Sequence, residues 1–247
     1  MSDASGDYYE TYWTPDGFLP TGPPSSFLLS LLAAHSTPDD RCVDIGCGDG
    51  RTSGVWLAAR VATYVGVDVS STAIERARAR GLDARQIADS ADLPFADDSF
   101  DLAICLEVLE HLFDPAASVH DAYRVLAPGG RLIVSVPNVA HWRQRVELAF
   151  GRWNPRGDSL AAEQPWRDPH LRFFTPRTLE AMLLGAGFEP DLFTGHAAPV
   201  LTEVPVLRRV VRRDTAGDAY CAAMRVLPGL LAKSLFAVVT KTGPSPA

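Results

Sequence analysis

Val43-Asp44-Ile45-Gly46-Cys47-Gly48-Asp49-Gly50 is the stretch on which the fold turns. A run with β character, Arg41-Cys42-Val43, precedes it, and Arg51 to Arg60 reads as a helix. Strand, glycine turn and helix in that order let a backbone come close to a bound nucleoside. Glycines at 46, 48 and 50 permit positive φ and put no Cβ between chain and ligand. Asp44, two residues ahead of the first glycine, narrows the choice of ligand. Its carboxylate repels a pyrophosphate, and it suits a ligand with a cationic amino group and a sulfonium but no phosphate. The third glycine also arrives one residue earlier than G-x-G-x-x-G requires. On this stretch alone, an ordinary glycine-rich turn stays open as the plainer reading.

Working outward, Val61 to Asp68 is a second β-branched run that ends in an acid 24 residues after Asp44. An acid at the end of the second strand can accept from both ribose hydroxyls; the competing reading is a cap for the helix Thr72 to Arg80, where Ser70 and Ser71 also offer caps. Ala84 to Asp89 reads as a third strand, followed by Ser90-Ala91-Asp92-Leu93-Pro94-Phe95. Phe100 to Cys105 is almost continuously apolar, as a strand covered on both faces should be. Leu106 to Leu112 begins a helical stretch, Asp114-Pro115 opens a helix to Leu126, and Pro128-Gly129-Gly130 turns into a strand at Arg131 to Val136. Strands alternating with helices predict an α/β doubly wound sheet. Its carboxyl ends then carry Asp44, Asp68, Asp89, Glu107 and Pro137-Asn138 into one crevice.

The remaining chain is less regular. Residues 1–24 hold Tyr8, Tyr9, Tyr12 and Trp13 among acidic residues and prolines, a leader that packs on the fold or closes over a ligand. Ser25-Ser26 then caps an apolar helix from Phe27 to Ala34. Residues 139–172 place Trp142, Trp153 and Trp166 among arginines and prolines, too long for a plain connection. Thr175-Pro176 opens a helix at Arg177 to Leu184, and Phe188 to Thr194 is a sixth strand. A second insertion, 196–234, carries Arg208 to Arg213, an exposed amphipathic face rather than an anion site, before a last strand at Leu235 to Lys241. One unit of 247 residues is expected, with 1–36 as lid and helix and the two insertions over the crevice.

Composition closes off other classes. A net charge of −7 and a pI near 5.3 argue against a nucleic-acid surface built on bulk electrostatics. Cys42, Cys47, Cys105 and Cys221 form no C-x-x-C pair, so buried thiols in a reducing, cytoplasmic setting are expected. No apolar run reaches membrane-spanning length, and the N-terminus lacks a signal pattern.

Four ordered motifs give a resemblance to the class I S-adenosylmethionine-dependent methyltransferases. Val43 to Gly50 looks like the family's first motif and Val65-Gly66-Val67-Asp68 its second. Asp89 to Asp101 is similar to the adenine-side segment, and Leu126-Ala127-Pro128-Gly129-Gly130-Arg131-Leu132 matches the turn before strand five. Glu107-Val108-Leu109-Glu110-His111 resembles the quinone-biosynthesis O-methyltransferases; Val136-Pro137-Asn138 and His170 to Thr175 resemble small-molecule members. The resemblance implies a seven-stranded Rossmann-like sheet in the order 3-2-1-4-5-7-6 with the last strand antiparallel.

It also implies roles. Asp44, Gly46, Cys47 and Gly48 would hold the methionine part of S-adenosylmethionine, and Asp68 the ribose with Val69 against adenine. Asp89 and Ser90 would read the adenine edge, and Leu106 and Glu107 would flank the transferable methyl group. The expected product is S-adenosylhomocysteine. His111, one helical turn after Glu107, is the first candidate for a general base and His170 the second, ahead of His141. Tyr8, Tyr9, Tyr12, His141 and Trp142 are expected to roof a small-molecule acceptor. No metal is expected, since each carboxylate has its own strand end. A hydroxyl is the expected acceptor, with nitrogen, carbon or a non-catalytic regulatory partner as alternatives; a homodimer is compatible, with no nucleic acid and no membrane insertion.

Overall fold

A computed structural model of the chain describes Glu10, Trp13 and residues 24–152, 170–196 and 227–243. Tyr8, Tyr9, Tyr12, Trp153, Trp166, Arg208 to Arg213 and Cys221 lie outside the described residues. The strands are β1 Arg41–Ile45, β2 Thr63–Asp68, β3 Ala84–Gln86, β4 Phe100–Leu106, β5 Leu126–Pro137, β6 Phe188–His196 and β7 Ser234–Lys241. They form one sheet in the order β3-β2-β1-β4-β5-β7-β6, parallel except where β7 runs against β5 and β6. This is the expected seven-stranded, doubly wound, Rossmann-like sheet with its antiparallel last strand.

Alternation along the strands builds two cores. Val43 and Ile45 of β1 join Ala103 and Cys105 of β4 on one face, while Cys42 joins Leu102 and Ile104 on the other. Both faces are covered, so the central strands read as unbroken apolar runs. Helix α1, Ser26–His35, packs Leu28, Leu31 and Leu32 into the second core, its first turn capped by the Ser25 hydroxyl. Helix α2 is Gly54–Ala58, and α3, Ser71–Ala79, starts where the Ser70 hydroxyl accepts from Ala73 N–H. Helix α4, Pro115–Val125, is capped by Asp114. Helices α5, Trp142–Ala149, α6, Pro176–Gly185, and α7, Pro228–Leu231, complete the set, with Thr175 and Thr178 forming a reciprocal cap on α6.

Departures from expectation concentrate at the carboxyl edge of the sheet. The helix after the glycine turn begins only at Gly54, because the Ser53 side chain does not cap it and bonds to Asp44 instead. Leu106 to Leu112 is not an α-helix: β4 ends at Leu106, Glu107 takes φ +56°, and a single 3₁₀ turn spans Leu109–His111. Strand β3 stops at Gln86, and β5 starts at Leu126 with a register shift opposite Phe100 and Leu102. No helix among the described residues is long and apolar enough to cross a membrane.

Candidate active site

A cavity of about 580 Å³ opens at the carboxyl ends of β1, β2 and β4. Its floor is the glycine turn, tied to β2 where Gly46 and Cys47 N–H both donate to the Val67 carbonyl at 2.8 and 3.0 Å. Gly46 sits at φ +71°, and a Cβ there would lie 2.4 Å from a Val108 methyl. Gly48, at φ +55°, is closed off by the Trp13 indole, 2.9 Å from where a Cβ would stand. The backbone therefore forms a cradle that side chains at 46 and 48 would fill.

Asp44 is 2% exposed and borders the cavity. Its Oδ2 accepts from the Ser53 and Tyr64 hydroxyls at 2.8 and 2.9 Å. Burial pushes its pKa from the ordinary 3.8 up to about 6, against the pull of those two hydroxyls. Between those values the native state binds more protons than the unfolded chain, so this group's contribution to stability falls as pH rises from about 4 to about 6. The stability difference between wild type and Asp44→Asn should decline by on the order of 3 kcal/mol across that window, as read by urea unfolding. Parallel pH curves for the two proteins would contradict it.

Asp68 bridges two turns. Its Oδ2 accepts from Gly48 N–H and its Oδ1 from Ser70 N–H, both at 2.9 Å, and burial raises its pKa. It leaves the capping of α3 to Ser70, so the choice posed by the sequence falls against the cap. Val69, Ile87 and Ser90 continue the wall. The Ser90 hydroxyl is buried without a hydrogen bond among the described residues, a polar atom fit to meet a ligand. Asp89 departs from expectation: it is exposed, stands outside the cavity wall, and turns its carboxylate to the Ala91 N–H at 2.9 Å.

Leu106 and Glu107 border the middle of the cavity. The left-handed conformation of Glu107, costly for a residue with a Cβ, is held by Glu107 N–H on the Ser135 carbonyl at 3.0 Å and the Ser135 hydroxyl on Oε1 at 2.8 Å. Glu107 is exposed to the cavity, and the protein packed around it still raises its carboxyl's pKa by desolvation. Glu110 is 1% exposed, and neither of its oxygens has a hydrogen bond among the described residues. Burial first, then the Glu107 charge, raises its pKa well above the ordinary 4.5. Its Oε1 lies 3.8 Å from His111 Nε2 and 4.0 Å from His170 Nε2, and the two imidazole rings are 4.9 Å apart.

These three side chains overturn the expectation that no metal-ligand grouping forms: their ligand atoms all lie within 4.8 Å of one another. The reason is long-range. Leu171 and Arg172 N–H donate to the Glu110 carbonyl at 2.8 and 3.0 Å, which folds the end of the first insertion back onto the 3₁₀ turn after β4.

The far wall contains His141, 2% exposed, with Asn138, Arg143, Gln144, Lys233 and Ser234. The Asn138 amide donates to the carbonyls of Pro228, Gly229 and Ala232, pinning α7 beside the cavity. Trp142 starts α5 but does not border the cavity, in contrast to its expected place in the roof. Trp13, Ser53 and Glu110 border the cavity and Tyr64 bonds to Asp44, though none of the four was given a role at the site from sequence. Glu110 had a signal, a carboxylate beside a candidate base; the others depend on contacts across 9 to 63 positions.

A glycine cradle, an acid near the end of each of the first two strands, and a carboxylate–imidazole cluster in the same cavity fit an S-adenosylmethionine-dependent methyltransferase. A family model described as a methyltransferase domain matches residues 23–192, and the chain belongs to that family. The chain is 31% identical over 198 residues to the ubiquinone biosynthesis O-methyltransferase of Idiomarina loihiensis, covering 74% of this chain and 77% of the relative. To a probable S-adenosylmethionine-dependent methyltransferase of Mycolicibacterium smegmatis it is 34% identical over 161 residues, covering 64% of this chain and 55% of that protein. In fold it is similar to a putative methyltransferase of Bacillus halodurans, with a TM-score of 0.62 at 20% identity, covering 89% of this chain and 100% of the other.

Proposed function

We propose that the protein methylates a hydroxyl oxygen of a small molecule. The observation that carries this reading is the buried Glu110 carboxylate set against His111 and His170 inside the cavity. A hydroxyl must lose its proton as it attacks, and a carboxylate–imidazole set can take it. A neutral amine needs no such partner before attack. The similarity to an O-methyltransferase of quinone biosynthesis supports the same acceptor atom.

In this reading Asp44, Gly46, Cys47 and Gly48 hold the amino-acid end of the cofactor. Asp68 accepts from the ribose, and Val69, Ile87 and Ser90 enclose the adenine. Bound S-adenosylmethionine supplies a methyl carbon on a sulfonium, a leaving group that needs no proton. Glu107, with Ser135 fixing its carboxylate, lines the ground between cofactor and acceptor. His111 takes the hydroxyl proton, and Glu110 stabilises the imidazolium that forms. Holding the acceptor oxygen in line with the methyl carbon supplies a further large share of the acceleration.

The same cluster supports a second reading, because Glu110, His111 and His170 could hold a divalent cation that lowers the hydroxyl's pKa. Incubation with S-adenosylmethionine carrying a ¹³C methyl and a panel of phenols, sugars and hydroxy acids tests both. The expected product signal is a methoxy carbon; a methylamine or methyl-on-carbon product would overturn the hydroxyl assignment. Turnover that survives exhaustive chelation assigns the cluster to proton transfer, and turnover lost and then restored by Mg²⁺ or Zn²⁺ assigns it to an ion.

A further inference from the structure

We propose that Trp13 walls the cofactor end of the cavity and that Glu10 and Arg76 are its positioning residues, so that this contact sets how fast the cofactor leaves. The inference rests on the cofactor reading of the cavity. It starts from the Trp13 indole, which borders the cavity and lies directly over Gly48, the residue whose N–H is bound to Asp68. An aromatic ring at that place closes the cradle on the side away from the sheet.

Three contacts hold the ring. Trp13 N–H donates to the Glu10 carbonyl at 3.1 Å. The Glu10 carboxylate accepts from Ser71 and Thr72 N–H, the opening residues of α3, where a helix favours a negative charge. Arg76, one turn further along α3, donates from Nη2 to the Trp13 carbonyl at 2.6 Å and places its guanidinium 5.8 Å from the indole centre. Helix α3 begins three residues after Asp68, so the contacts that place Trp13 stand next to the acid proposed for the ribose. The glycine at 48 thus serves two purposes: it frees the cradle for ligand and leaves room for the indole.

Stopped-flow binding and release of S-adenosylhomocysteine tests this on the full-length protein, with Trp13→Ala, Trp13→Phe and Glu10→Gln alongside wild type. Trp13→Ala should release the ligand roughly ten-fold faster, with Trp13→Phe recovering most of the difference. Glu10→Gln, which leaves the indole intact and removes the charge that docks it, should release it roughly three-fold faster. If Trp13→Ala does not fold, Glu10→Gln carries the test, since its side chain is outside the core. Unchanged release rates in the folded variants overturn the proposal while leaving the cofactor site standing. Absence of binding to folded wild type overturns the cofactor reading and this inference with it.

Discussion

Replacing Glu110 with glutamine should lower turnover by roughly 10²- to 10⁴-fold while leaving S-adenosylhomocysteine affinity within about two-fold. The carboxylate is buried, has no hydrogen bond among the described residues, and faces two imidazoles across 3.8 and 4.0 Å. Such a group is a burden on the fold, since a buried carboxylate without a donor costs about 1–3 kcal/mol or more. Glutamine keeps its shape and can neither take up nor lose the proton, so thermal unfolding should move upward or stay level as activity falls. Stability gained where activity is lost is the signature of a group kept for chemistry. A variant with wild-type turnover would remove Glu110 from the reaction; a variant that loses stability and activity together would make it a packing residue.

Asp68→Ala should weaken S-adenosylhomocysteine binding by roughly 100-fold or more. Two effects act in the same direction. The ligand loses a charged acceptor, an interaction of about 1.5–3 kcal/mol. The cradle also loosens, because Gly48 and Ser70 N–H give up the carboxylate that ties the glycine turn to the start of α3. Asp68→Asn separates these, since an amide retains one acceptor; it should fall between wild type and alanine in a binding titration. Equal affinity in all three proteins would show that the nucleoside does not meet Asp68.

Much of this site was legible because it is local. Asp44, Gly46, Cys47, Gly48, Asp68 and Val69 follow from a strand, a turn and the end of the next strand, and all six border the cavity. The sheet order came with the family resemblance, and it holds strand for strand. What local pattern could not supply was the meeting of distant segments. Glu110 gains its partner His170 only because two backbone N–H groups of the first insertion reach its carbonyl. Ser53 falls inside a predicted helix and Tyr64 inside a predicted strand, and nothing local shows that both hydroxyls bond to Asp44.

Backbone geometry hid the rest. Leu106 to Leu112 carries helix-forming residues, yet Glu107 enters the left-handed region, a conformation no propensity assigns to glutamate. Asp89 illustrates the opposite case: an acid past a strand end satisfies its own turn through Ala91 and stands outside the cavity, while the neighbouring Ser90 borders it.

Calorimetric titration of S-adenosylhomocysteine into wild type, Asp68→Ala and Glu110→Gln tests the division of this cavity into a cofactor end and a chemical end. Binding at one site per chain, lost in Asp68→Ala and retained in Glu110→Gln, is the result expected. Undiminished binding in Asp68→Ala, or binding lost equally in both variants, would contradict that division.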